Sequence, residues 1–86
     1  MMIDDKSLIL KLMHLAFLDI RTVAYENKSH KAIFKIADIF HNIPLQLERV
    51  EKENGDYNKI LNDIRVRAIR NECEFWLDNA IQNINK

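Results

Sequence analysis

The chain is short of the residues that break helices and build loops. Its 86 residues include one glycine, one proline and one cysteine, and its 13 basic residues are matched by 13 acidic ones. Each shortage excludes something. One glycine cannot build a phosphate-cradling loop, and the sequence has no G-x-S-x-G turn and no paired C-x-x-C. Cys73 has no partner within the chain, so a disulfide framework is excluded and a reducing compartment is expected. Balanced charge argues against nucleic acid, whose binders carry surplus lysine and arginine. It argues equally against attraction to an anionic membrane surface. Residues 8 to 20 form the most apolar run, but Lys11, His14 and Asp19 interrupt it, and it is too short and polar to span a bilayer. Asp4 and Asp5 precede it where a signal peptide would carry positive charge, so the expected location is the cytoplasm.

Against these shortages stands a high apolar load. Hydrophobic residues make up 48% of a chain that amounts to one small domain, residues 1–86, and small domains hide a limited share of their surface. Part of that load is expected at an interface. No segment alternates apolar and polar residues long enough to form a strand, nothing repeats, and no segment is low in complexity. The predicted fold is all-α: a bundle of three main helices plus one short helix, with dimerisation as a means of completing it. Asp4 or Asp5 caps a first helix running to about Glu26. Asn27, Lys28 and Ser29 form a turn, with Ser29 as N-cap of a second helix to about His41. Pro44 suits the first turn of a short helix. That helix ends before Gly55, whose freedom at positive φ fits a C-terminal cap. Asp56 caps a last helix from about Tyr57 to Ile84.

That last helix carries two apolar stripes. Tyr57, Ile60, Leu61, Ile64, Ala68 and Phe75 line one side, and Val66, Ile69, Cys73, Trp76, Leu77, Ala80 and Ile84 another, about 150° away. One straight helix cannot turn both to a single partner, so it is either sandwiched between layers or broken near Asn71. In the second helix, Ala32, Ile33, Phe34, Ile36, Ala37, Ile39 and Phe40 form a broad apolar arc opposite Lys31, Lys35, Asp38 and Asn42. In the first, a core side of Ile9, Leu12, Met13, Ala16, Ile20 and Val23 is widened by Leu8, Leu10, Leu15 and Phe17. Leu18 and Tyr25 are stranded on its polar strip with Lys11, His14 and Arg21. A helix apolar nearly all round is central to its bundle or shared with a partner.

Asp19 lies inside the apolar arc of the first helix. A carboxylate there needs a cation or donors, such as an arginine or a tryptophan indole N–H from another helix; the functional alternative is a tuned acid or ligand group. His14, His30 and His41 are too dispersed for a metal motif. Asp38 and His41 have the i, i+3 spacing of bundle metal sites but no repeat of it, so no metal or cofactor is expected. Cys73, between Ile69 and Trp76, reads as a core thiol without a neighbouring base. Arg65, Arg67 and Arg70 interleave with acids, Lys59–Asp63–Arg67 and Arg70–Glu74 at four-residue spacing, as on a solvated face.

The expected activity is non-enzymatic protein–protein binding. The residues expected to meet a partner are Glu48, Glu51, Glu53, Asp56 and Tyr57, an exposed acidic joint suited to a basic toxin or enzyme. Leu18, Tyr25 and Trp76 are expected at an apolar interface, with homo-oligomerisation alongside. In size and helical character the chain resembles small bacterial toxin-neutralising (immunity) proteins and small helical regulators, a likeness of class that carries over no residue. The second expectation is a ligand-binding or enzymatic bundle using Asp19 with His14 or His41, and the third a nucleic-acid-binding regulator.

Overall fold

A computed structural model describes residues 4–26 and 30–85, with only the backbone of Ala24 and Tyr25. The fold is all-α, and no strand occurs among the described residues. Among the described residues five helices follow one another: α1 Asp5–Tyr25, α2 His30–Phe40, α3 Ile43–Glu53, α4 Tyr57–Arg70 and α5 Glu74–Ile84. The joint at 27–29, Ser29 as a cap and the side chain of Tyr25 lie outside the described residues. No described helix is long and apolar enough to cross a membrane.

Local chemistry sets most of the boundaries. The Asp4 carboxylate accepts the Ser7 N–H at 2.8 Å and starts α1. Pro44 sits in the first turn of α3, where its missing N–H leaves no carbonyl unsatisfied. Asp56 accepts the Asn58 N–H at 2.9 Å and starts α4. The end of α3 corrects one expectation. Asn54, not Gly55, takes the left-handed position, with φ 51°, and Gly55 follows it and donates its N–H to Val50 at 2.9 Å. Asparagine tolerates that region because its short polar side chain bonds locally.

The last helix breaks at Asn71–Cys73, one of the two options its stripes allowed. The end of α4 is a Schellman turn: the Cys73 N–H reaches the Ala68 carbonyl at 2.8 Å and the Glu72 N–H reaches Ile69 at 3.1 Å. Glu72 occupies the left-handed position with φ 59°, where glycine is usual. The break divides the stripes. Ile60, Ile64 and Ala68 of the first are buried on α4, while Leu77 and Ala80 of the second are buried on α5. Each stripe then runs off the core beyond the elbow, leaving Val66 and Ile69 exposed on α4 and Phe75 exposed on α5.

The core gathers Ile9, Leu12 and Ala16 from α1 with Ile36, Ile39 and Phe40 from α2, Ile43 and Leu47 from α3, and the buried residues of α4 and α5. Helix α1 packs on α2, α4 and α5, and α3 joins through α4. The body measures 41 × 28 × 21 Å. With helices about 10 Å across, its short axis holds two layers, so every helix keeps an outer face. The radius of gyration, 13.0 Å, exceeds the roughly 12 Å of a compact chain this long.

Candidate functional site

The outer faces are more apolar than the core requires. The long outer stripe of α1 presents Leu10, Phe17 (56% exposed) and Leu18 beside exposed Lys11, His14 and Arg21. Leu18 is thus on the surface, where its place on the polar strip put it. Helix α1 is packed on three neighbours and still turns an apolar stripe outward, so it is not enclosed by the bundle. Phe34 corrects another expectation: assigned to the buried arc of α2, it is 72% exposed, because the 11-residue helix turns Ile36, Ile39 and Phe40 to the core and leaves Phe34 off that line. Leu45 projects from α3.

The elbow between α4 and α5 carries Phe75, the most exposed large hydrophobic residue among those described. Phe75 is 86% exposed and Ile69 is 50% exposed. The two share a shallow depression of about 350 Å³ with Glu72, Glu74 and Asp78. The break also separates Arg70 from Glu74. Helical i, i+4 geometry does not continue across Glu72, and the expected pair does not form among the described residues. Arg65 instead crosses to Asp78 at 3.4 Å, and Arg67 holds Asp63 at 3.1 Å within α4 as its spacing implied. Lys35 reaches Glu72 at 3.9 Å from α2.

The acidic joint is divided among local duties. Glu51 pairs with Lys6 of α1 at 2.6 Å, which raises the lysine above its ordinary value. Asp56 is committed to its cap, and Tyr57 is half-buried against the core. Glu48 and Glu53 are exposed on α3, interspersed with Arg49 and Lys52. A groove of about 570 Å³ between α3 and α4 has Glu53 and Asp56 on its wall, but Arg49 and Lys59 as well. The joint is therefore mixed in charge.

Trp76 is held within the molecule. Its indole N–H donates to the Asp19 carboxylate, and its ring meets Phe40 edge-to-face at 5.8 Å. Asp19 has thus found the tryptophan donor its position called for. His14 lies on the outer face of α1, and the His41 Nδ1–H donates to the Asp38 carbonyl at 2.8 Å, closing the end of α2. Among the described residues no hydrogen bond or ion pair joins Asp19, His14 and His41 to one another. Asp38 binds Asn71 at 3.0 Å and takes the Arg67 guanidinium on its carbonyl at 3.2 Å, tying α2 to α4. Cys73 is half-buried, and burial raises its thiol above the ordinary value. Among the described residues no three His, Cys, Asp or Glu side chains gather as metal ligands.

No family model, curated protein or solved structure matches the chain. Sequence reasoning placed Phe75 on the same stripe as Ile60, Ile64 and Ala68, without saying which residues of that stripe turn inward, and missed the elbow surface. The signal was the two-stripe conflict itself, since a break that buries part of each stripe must strand the rest.

Proposed function

We propose that this protein works by protein–protein contact, without chemistry of its own, and that the α4–α5 elbow is its principal contact surface. The observation that carries this reading is that Ile69 and Phe75 are both exposed and line one depression. Covering a side chain of this size is worth roughly 1.5–3 kcal/mol, which an isolated molecule forgoes. Exposed aromatic side chains in a concave, polar-rimmed setting are the usual anchors of interfaces. The most concrete form of this role is that of a small toxin-neutralising or regulatory protein, which acts by covering a partner's working surface.

The test compares the tagged native chain with an Ile69→Ser/Phe75→Ser double variant in quantitative affinity capture from its own cells, with the chain's own copies counted among the products. One species enriched in fixed ratio with the native chain and lost with the variant is the expected result. Identical recoveries from the two baits would overturn the reading. Neutralisation of a co-expressed toxin, abolished by the same substitutions, would establish the narrower role.

A further inference from the structure

We infer that the cationic apolar face of α1 docks on the acidic apolar elbow of a second copy of this chain, twice over in a two-fold dimer. The inference rests on the elbow being a contact surface and adds what covers it. On the α1 wheel, Phe17, Leu10, Arg21, His14, Leu18 and Lys11 fall in that angular order within about 120°. No carboxylate lies in that arc between Ser7 and Arg21. Lys11, His14 and Arg21 make no ion pair or side-chain hydrogen bond among the described residues. This face therefore offers apolar contact with unspent positive charge.

The elbow offers the converse. Its depression is lined by Ile69 and Phe75 with three carboxylates, Glu72, Glu74 and Asp78, and no cation. Lys35 and Arg65 touch two of those acids through exposed pairs, which bind weakly. Glu74 has no ion pair among the described residues.

Charge selects the occupant. The chain is neutral overall, so two copies do not repel. Yet it places free cations along one apolar face and carboxylates around another. Opposite charge steers such faces together and fixes their register. The two faces hold Leu10, Phe17, Leu18, Ile69 and Phe75, five of the eight large hydrophobic residues exposed among the described residues. A symmetric dimer uses each face once per copy and closes, so both faces are engaged without growth into a filament.

Charge reversal tests this with the full chain. The native protein is expected to be a dimer by sedimentation velocity and native mass spectrometry. Lys11→Glu/Arg21→Glu and, separately, Glu74→Lys/Asp78→Lys should each weaken the dimer by about tenfold or more, since each places like charges at both contacts. All these side chains are exposed, and an unchanged helical circular dichroism spectrum will show that both variants fold. Mixing the two variants restores opposite charge at both contacts, so a heterodimer is expected. A native chain that stays monomeric, a dimer indifferent to either reversal, or a mixture that forms no heterodimer would each overturn the inference. Binding of the α1 face to anionic lipid vesicles or heparin by a monomeric chain would likewise overturn it. None of these failures touches the capture experiment on Ile69 and Phe75, which can still return a different protein.

Discussion

The indole N–H of Trp76 on α5 donates to the carboxylate of Asp19 on α1, joining helices through residues 57 positions apart. The same indole meets Phe40 of α2, so one ring ties together three helices. Trp76→Phe keeps the ring packing but leaves the half-buried carboxylate without its donor. It should cost roughly 1–3 kcal/mol in chemical denaturation. Asp19→Asn retains an acceptor oxygen and should cost less. In a double-mutant cycle the two losses should fall well short of adding. Full additivity would show that the two groups act independently.

The elbow makes a second, opposed pair of expectations. Ile64 is fully enclosed, so Ile64→Ala should cost about 2–5 kcal/mol. Phe75 lies on the same sequence stripe but outside the core, so Phe75→Ala should change the stability of the single chain by no more than about 0.5 kcal/mol. Urea unfolding of both variants at a concentration that keeps the chain monomeric distinguishes them. A large loss at Phe75 would mean that its ring is packed within the chain.

These contrasts mark what the sequence could and could not convey. Helical class, the caps at Asp4 and Asp56 and the need of Asp19 for a donor all follow from short-range rules, in which spacing decides the neighbour. The break at Asn71–Cys73 contains no glycine or proline, so local propensity was silent and only the conflict between two stripes signalled it. Phe34 was misplaced, and Phe75 was left without a side, for one reason. Periodicity reports which residues share a face of a helix, but not how far along that face the neighbouring helix extends. The acidic joint was legible as charge but not as pairing, because Lys6 arrives from another helix to hold Glu51.

Two single-residue changes probe the turn chemistry. Glu72 holds a left-handed conformation that costs a side-chain-bearing residue about 1–2 kcal/mol. Glu72→Gly relieves that cost while making the unfolded chain more flexible, and its contact to Lys35 is a weak one. A net gain of roughly 0.5–1 kcal/mol in thermal or urea unfolding is expected.

Gly55 gives the complementary case. Its φ is not positive, and an added Cβ would meet Val50 at 3.6 Å, an ordinary contact. Gly55→Ala should therefore stabilise by about 0.4–1 kcal/mol through the unfolded state. A loss instead would show that the joint needs the conformational freedom of glycine after all.

Acid sensitivity should trace in part to Asp4. The Ser7 backbone N–H and then its hydroxyl hold the Asp4 carboxyl below its ordinary value of 3.8. A lowered folded-state value means that the charged form is favoured by folding. The contribution is therefore present above the unfolded value and is lost as pH falls through the folded one. Asp4→Asn keeps an oxygen for the cap but cannot titrate. Thermal melts between about pH 5 and pH 2 should show the native chain losing stability more steeply than this variant, with the two curves converging at the acid end. Parallel curves throughout would mean that the cap at Asp4 carries no weight in holding the start of α1.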